Sequence, residues 1–144
     1  VDYAHTPDAL GSALGALRAV ATARGAGLTV IFGCGGDRDR GKRPLMGAVA
    51  VERADRVVLT SDNPRGEDAQ TILDEIRVAA PNAEVLVDRG EAIRRTILVA
   101  HPAEVVLIAG KGHESYQEMH GVRRPFSDAA QARAALAARQ ETSQ

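Results

Sequence analysis

Aromatic residues are scarce in this sequence: they make up 3% of its 144 residues, and tryptophan is absent. Proteins that bind single-stranded nucleic acids stack the bases on exposed aromatic rings. Proteins that bind a phosphate backbone also need a surplus of positive charge, and the formal net charge here is -1. We therefore expect no nucleic-acid partner.

The sequence also lacks a second cysteine and any long apolar run. Cys34 alone cannot form an internal disulfide, which suits a reducing compartment. No apolar stretch approaches the length of a membrane-spanning helix, and no secretory signal pattern is visible. We expect a cytoplasmic protein without a membrane partner. Because the sequence opens at Val1, on residues that resemble the end of a strand, we also expect a piece of a longer protein.

Signatures of a self-sufficient active site are missing as well. The histidines show no paired spacing typical of a zinc site, so no metal ligands are predicted. No nucleophile-elbow pattern is present, and Cys34 has no histidine close in sequence. We predict no catalytic residue in this chain.

Apolar strand patterns alternate with helical patterns along the whole sequence. Strands are predicted at residues 28–32, 56–60, 84–87 and 104–109, with the tail of another at 1–5, and helices at 7–23, 45–54, 68–80, 90–100 and from Ser127 to Arg139. A short antiparallel hairpin is predicted at residues 116–119 and 122–126. The alternation predicts an α/β fold with a doubly wound, mostly parallel sheet, as one domain over residues 1–139 with a frayed tail over residues 140–144.

Three polar loops follow predicted strands, at Gly33–Pro44, Ser61–Arg65 and Gly110–Glu114. In open α/β sheets, ligands bind beyond the carboxyl ends of the strands. A parallel sheet would bring all three loops to one edge, so together they form the candidate ligand site.

The middle loop carries the clearest chemistry. Asp62, Asn63, Pro64 and Arg65 have the composition of a tight turn. Arg65 could form two parallel hydrogen bonds with a carboxylate while Asp62 accepts an ammonium, which suits an amino-acid-like zwitterion. The alternative is a structural turn whose Asp and Asn cap the next helix.

The other two loops suit charged groups. The first combines glycines with cations and suits a phosphate or carboxylate, although it matches neither the Walker A nor the dinucleotide pattern; the alternative is a solvated flexible loop. The residues concerned are Gly33, Gly35, Gly36, Arg38, Arg40, Lys42 and Arg43. In the last loop Glu114 could accept an ammonium, and the role of Lys111 is open between loop structure and phosphate contact. Asp2 and His5 could contact a nucleotide.

Four motifs occur in order along the chain: Asp2-Tyr3-Ala4-His5-Thr6-Pro7, Gly33-Cys34-Gly35-Gly36-Asp37-Arg38-Asp39, Asp62-Asn63-Pro64-Arg65 and Gly110-Lys111-Gly112-His113-Glu114. Together they resemble the C-terminal domain of the Mur ligase family, and in particular its diaminopimelate-adding members. The resemblance covers nearly the whole chain. It implies a Rossmann-like domain of an ATP-dependent acid–amino-acid ligase of peptidoglycan synthesis.

In that family, ATP and Mg²⁺ form an acyl phosphate on UDP-N-acetylmuramoyl-L-alanyl-D-glutamate, and the incoming amine then attacks it. The resemblance places the metal ligands in a central ATPase domain and the UDP-binding residues in an N-terminal domain, both outside this sequence. It therefore implies that the isolated chain is inactive and that its own central and N-terminal domains are its partners.

The resemblance also assigns residues. Those implied to bind meso-2,6-diaminopimelate are Arg38, Asp62, Asn63, Pro64, Arg65, Gly110 and Glu114, and those implied to face ATP are Asp2 and His5. Two alternatives stay open. One is a folylpolyglutamate-synthetase-type ligase domain that adds glutamate, and the other is a non-catalytic module that binds a nucleotide or an amino acid.

Overall fold

The structure is a computed structural model, and it describes residues 1–142. A parallel sheet forms its centre, and a separate antiparallel pair follows near the end. In chain order the elements are α1 (Pro7–Ala23), β1 (Leu28–Phe32), α2 (Lys42–Arg53), β2 (Arg56–Leu59), α3 (Ala69–Arg77), β3 (Glu84–Val85), α4 (Arg89–Val99), β4 (Val105–Ile108), β5 (Tyr116–Met119), β6 (Val122–Pro125) and α5 (Asp128–Thr142). The strand order in the parallel sheet is β3-β2-β1-β4. The predicted α/β fold is confirmed.

Helices cover both faces of the parallel sheet. Side chains of a strand alternate between its faces, so Val30 and Phe32 of β1 pack with α1, α2 and α3, whereas Ile31 packs with α4 and α5. All five β1 residues are buried, as expected for a central parallel strand. This double coverage leaves the strand ends as the place where polar loops can meet.

Polar caps set the beginnings of the helices. The Thr6 side chain accepts a hydrogen bond from the Ala9 amide, 3.2 Å away, and Pro7 occupies the first turn as predicted. Asp68 caps α3, and Asp88 caps α4 through a 2.8 Å hydrogen bond from the Glu91 amide. These caps satisfy amide groups that the helices themselves leave unpaired.

Most element boundaries differ from the predictions by a few residues, and the following differences are the clearest. The helix α2 begins at Lys42 rather than residue 45, because Pro44 lies in its first turn, where the missing N–H has no helical partner to lose. β3 is limited to two residues. The predicted first strand is a single bridge between Asp2 and Ala109. Helix α5 continues to Thr142, so the first three residues of the predicted frayed tail are helical, and its last two lie outside the described residues.

The hairpin β5–β6 is confirmed and pairs Gln117 with Arg124 across its two strands. It also contacts the candidate site, since Arg65 forms a bridge with Met119 of β5. Within residues 1–142, none of the helices combines the length and the apolar character needed to span a membrane.

Candidate functional site

The three polar loops meet at one edge of the sheet, as the parallel arrangement predicts. They line a single cavity together with the segment that precedes α1. Its lining residues are Tyr3, His5, Thr6, Gly35, Arg38, Asp39, Lys42, Asp62, Arg65, Gly110 and Glu114. The structure therefore brings together five of the seven residues predicted to bind an amino acid. Asn63 and Pro64 are buried and do not line the cavity.

The first two loops touch through their backbones, and glycines make this approach possible. The Gly36 amide donates a 2.8 Å hydrogen bond to the Asn63 carbonyl. A Cβ atom on Gly36 would lie 1.8 Å from the Pro64 carbonyl oxygen, and one on Gly33 would lie 1.9 Å from the Thr60 oxygen. Only residues without a side chain fit at these two positions.

Arg65 is held on the cavity wall in an unusual backbone conformation. Its φ is 53°, in the left-handed region that arginine rarely adopts. Two backbone hydrogen bonds to the hairpin fix it there: the Arg65 amide donates to the Glu118 carbonyl at 3.0 Å, and the His120 amide donates to the Arg65 carbonyl at 2.7 Å. This conformation carries the side chain to the cavity.

The Arg65 guanidinium is only partly engaged. Its Nη1 donates to the Gly36 carbonyl at 3.0 Å, and its Nε lies 3.8 Å from Glu118 Oε2, which is a loose ion pair. Within the described part of the chain, Nη2 makes no hydrogen bond. Because the side chain is 21% exposed and lines the cavity, it can still bind a carboxylate.

Lys111 lies beneath the cavity and is completely buried. Its ammonium donates to Asn63 Oδ1 at 2.7 Å and to the Tyr116 carbonyl at 3.1 Å. It also lies 3.0 Å from Asp62 Oδ1, in an ion pair rather than a well-aligned hydrogen bond, and 3.4 Å from Glu114 Oε1. From the sequence, the role of Lys111 was open between loop structure and phosphate contact. The structure favours loop structure, because the ammonium is paired with other residues inside the fold.

Asn63 links these groups from below. Its Nδ2 donates to Glu114 Oε1 at 2.9 Å, and its Oδ1 accepts from Lys111 and from the Glu118 amide. The Asn63 side chain therefore orients Glu114 at the cavity wall, while the role predicted for it, direct contact with a ligand, stays a prediction.

Two cations of the first loop belong to the fold. Arg43 is completely buried, donates to both Glu67 oxygens, Glu75 and the Gly35 carbonyl, and so joins α2 to the loop before α3. Arg40 makes two 3.1 Å hydrogen bonds with Glu75. The hydrogen bond from Arg43, supported by the Asp37 amide, lowers the pKa of Glu67 to about 2. These two arginines are not available to an anion in the cavity.

Arg38 and Lys42 keep their charges at the cavity. Arg38 donates to the carbonyl of its neighbour Asp37, and Lys42 donates to the His5 carbonyl at 2.9 Å. Both side chains line the cavity and have no carboxylate partner within residues 1–142. Both cations are therefore available to an anionic group in the cavity.

The two residues predicted to face a nucleotide differ in position. His5 lines the cavity, and its Nδ1 lies 2.9 Å from the Tyr3 carbonyl. The Tyr3 ring meets the His5 ring edge to face, with centroids 4.7 Å apart. Asp2 lies at the end of β4 and accepts a 2.8 Å hydrogen bond from the Ala4 amide, so one of its oxygens serves the local turn.

Cys34 is structural, as predicted. It is buried against Met46, with 3.6 Å between the two sulfur atoms. Burial raises the pKa of its thiol to about 12, which keeps it protonated and unreactive.

Two features that shape the site could not be predicted from sequence patterns. Arg89 and Asp128 form a buried ion pair although they are 39 residues apart. Gln117 of β5 donates to the site loop at Ser61 and Asp62. An arginine after a strand and a glutamine in a short hairpin carry no local pattern that would reveal such partners.

Comparison with known proteins gives a consistent result. The pattern that defines the family "Mur ligase, glutamate ligase domain" matches residues 1–112. Two relatives carry the name UDP-N-acetylmuramoyl-L-alanyl-D-glutamate–2,6-diaminopimelate ligase. The one from Acidovorax sp. (strain JS42) is 59% identical, over 96% of this chain and 28% of its own length. The one from Chlorobaculum tepidum is 58% identical, over 89% of this chain and 25% of its own length. A solved structure with the same enzyme title has a TM-score of 0.87 at 45% identity, over 96% of this chain and 28% of that one. The chain thus spans about a quarter of the length of these relatives.

Proposed function

This chain belongs to the Mur ligase family, and from that premise we propose that it is the amino-acid-binding domain of an ATP-dependent ligase. The reaction would join meso-2,6-diaminopimelate to UDP-N-acetylmuramoyl-L-alanyl-D-glutamate in peptidoglycan synthesis. The observation that carries the proposal is that the Arg65 guanidinium lines the same cavity as the carboxylates of Asp62 and Glu114.

The cavity offers partners for both ends of diaminopimelate, which has an ammonium and a carboxylate at each. Arg65 binds the distal carboxylate through its unoccupied N–H groups. Glu114 and the backbone of Gly110 bind the distal ammonium, and Asp62 adds negative charge beside them. Arg38 binds a second carboxylate at the open side of the cavity.

The same geometry disfavours lysine, which lacks the distal carboxylate. Lysine would leave Arg65 without its charged partner in a partly buried site. A hydrogen bond to a charged group contributes about 1.5–3 kcal/mol, which corresponds to roughly tenfold to more than a hundredfold discrimination. A site that is built to pair a group rejects analogues that lack the group.

In this proposal, ATP contacts both this domain and the rest of the full-length protein, and Mg²⁺ is bound by the latter. Under the same proposal, Asp2 and His5 contact the nucleotide, as the family resemblance implies. Within residues 1–142, no group of three or more His, Cys, Asp or Glu residues could hold a metal ion. As the family resemblance implies, we assign the Mg²⁺ ligands, the UDP-binding residues and acyl-phosphate formation to a central and an N-terminal domain of a cytoplasmic protein.

The experiment uses the product of the complete reading frame that contains this chain. ATP-dependent amide formation is measured with UDP-N-acetylmuramoyl-L-alanyl-D-glutamate and, in turn, meso-diaminopimelate, L-lysine and L-glutamate. Turnover with diaminopimelate alone supports the proposal. Turnover of glutamate on a folate acceptor would instead identify a folylpolyglutamate-type ligase, and amino-acid binding without turnover would identify a non-catalytic module.

A further inference from the structure

The hairpin β5–β6 lies beyond the part of the chain that the family pattern matches, which ends at residue 112. It nevertheless contacts the loop that carries Asp62 and Arg65. Since the hairpin is not part of the shared glutamate ligase pattern, it is a candidate for a feature that distinguishes members of the family by the amino acid they accept.

One hairpin side chain reaches the site loop directly. Gln117 Nε2 donates to Ser61 Oγ at 2.9 Å and to the Asp62 carbonyl at 2.8 Å. Both amide hydrogens of Gln117 are thus used on consecutive loop residues. The Asp62 backbone is fixed from the hairpin side, while its side chain faces Lys111 and the cavity.

The hairpin backbone holds the next residues. The Glu118 amide donates to Asn63 Oδ1 at 2.9 Å, and the Glu118 carbonyl accepts from the Arg65 amide at 3.0 Å. Arg65 needs such support, because its left-handed backbone is unfavourable for a residue with a side chain. From Ser61 to Arg65, the loop is therefore held in place by β5.

We propose that β5 is the specificity-determining element of the amino-acid site and that Gln117 is a positioning residue acting through Asp62 and Arg65. The inference rests on the proposed function. Gln117 is not among the described residues that line the cavity, so it acts through the residues that do. It fixes the distance between the Asp62 carboxylate, which accepts an ammonium, and the Arg65 guanidinium, which binds a carboxylate. A small displacement of either group weakens binding of the amino acid.

The test compares Gln117→Leu with Gln117→Glu in the complete protein. Leucine removes both hydrogen bonds at similar size. Glutamate also loses both, because its carboxylate cannot donate and the Ser61 hydroxyl already donates to the Val87 carbonyl at 2.7 Å, and it places a negative charge against the Asp62 carbonyl. Arg124→Ala is the matched control, because Arg124 lies opposite Gln117 in the same hairpin and is exposed. The KM for the amino acid, the KM for the nucleotide-peptide and kcat are measured for each.

We expect Gln117→Leu to raise the KM for the amino acid roughly tenfold, as the loss of two hydrogen bonds implies, and Gln117→Glu to raise it at least as much. The KM for the nucleotide-peptide stays within about twofold, as do all constants of Arg124→Ala. An unchanged amino-acid KM in both Gln117 variants overturns the inference. So does an equal rise of both KM values, which would mean general damage.

This test separates the inference from the proposed function. The wild-type protein is first assayed with meso-diaminopimelate, L-lysine and L-glutamate. If it accepts lysine or glutamate instead, the proposed substrate is wrong, and the Gln117 variants are compared with the accepted amino acid. If it accepts diaminopimelate and the variants leave that KM unchanged, only the role of the hairpin is wrong.

Discussion

The guanidinium of Arg89 and the carboxylate of Asp128 form a two-pronged ion pair, with Nε–Oδ1 and Nη2–Oδ2 distances of 2.8 and 2.7 Å and no exposure of either side chain. The same arginine donates to the carbonyls of Ser61 and Ala109, at 3.1 Å each. One buried side chain thus joins the start of α4 and the start of α5 to the ends of the strands that carry two site loops.

We expect Arg89→Met to lower the free energy of unfolding by about 3–5 kcal/mol, because it leaves Asp128 buried without its cation. Urea unfolding of this chain, followed by far-ultraviolet circular dichroism, measures the loss. Arg56→Met is the control: Arg56 makes an equally well-formed but exposed pair with Glu84 and should cost less than about 1 kcal/mol. Similar losses in both variants would contradict this explanation.

Arg65→Ala tests the proposal that the Arg65 guanidinium binds the distal carboxylate of diaminopimelate. Both residues have a Cβ, so the left-handed backbone at position 65 is equally unfavourable in each, and the comparison isolates the guanidinium. We expect the KM for diaminopimelate to rise roughly tenfold to a hundredfold in the full-length enzyme. The KM for the nucleotide-peptide should not change. If both constants stay near wild type, the assignment of Arg65 is wrong.

The existence and order of the elements followed from local sequence patterns. Five consecutive apolar or β-branched residues predicted β1 with its observed bounds, Leu28–Phe32, and Thr6-Pro7 predicted the start of α1. The convergence of the three loops followed from the parallel sheet alone, because strand direction decides which loops share an edge. The chemistry of Asp62, Arg65 and Glu114 predicted a ligand with ammonium and carboxylate groups, and the family resemblance supplied the identity of that ligand and the other assignments.

The sequence could not decide which charged residues the fold itself uses. Arg43 reads as one of four loop cations, yet its partners Glu67 and Glu75 are 24 and 32 residues away on other elements. Lys111 is likewise explained by Asp62 and Asn63, which only the folded sheet brings near. Tertiary partners of this kind leave no periodic signal in the chain.

Gly36→Ala tests the close approach of the first two loops. The new Cβ would lie 1.8 Å from the Pro64 carbonyl oxygen, which is backbone and cannot rotate away. We expect the loops to separate, with a loss of about 1–3 kcal/mol of stability and weakened amino-acid binding. The control is Gly15→Ala in α1, where the nearest atom lies at 3.5 Å and alanine should stabilise the helix by about 0.5–1 kcal/mol. Unchanged stability and binding in Gly36→Ala would show that the loops can part without cost.

We expect Glu67 to make the stability of the fold decrease in acid. Its pKa falls from an ordinary 4.5 to about 2 in the folded protein, mainly through the hydrogen bond from Arg43. A carboxyl whose pKa is lower when folded stabilises the protein above its ordinary pKa, and this stabilisation is lost as the pH falls. The loss should therefore occur between about pH 4.5 and pH 2.

Urea unfolding of wild type and Glu67→Gln across pH 2–6 checks this expectation. Other carboxyls also titrate in this range, so the informative quantity is the difference in unfolding free energy between the two proteins. That difference should be largest above pH 4.5 and should shrink toward pH 2, where about half of wild-type Glu67 is protonated. A difference that stays constant with pH would show that Glu67 is not ionised preferentially in the fold.

The sequence contains two lysines, Lys42 and Lys111, and the structure gives them opposite roles at one cavity. Lys42 lines the cavity with a single hydrogen bond to the His5 carbonyl, so Lys42→Met should cost less than about 1 kcal/mol of stability. Lys111→Met removes a buried cation from Asp62 and Glu114, and we expect a loss of about 3–5 kcal/mol.

Ligand binding should separate the two lysines further. In calorimetry of the full-length protein, Lys111→Met should weaken diaminopimelate binding, because Asn63 and Glu114 lose the group that orients them. The free amino acid L-lysine lacks the distal carboxylate. It should bind the wild-type protein at least tenfold more weakly than diaminopimelate, which corresponds to roughly the free energy of one charged hydrogen bond. Equal affinity for L-lysine and diaminopimelate would mean that no side chain of this cavity, Arg65 included, binds the distal carboxylate.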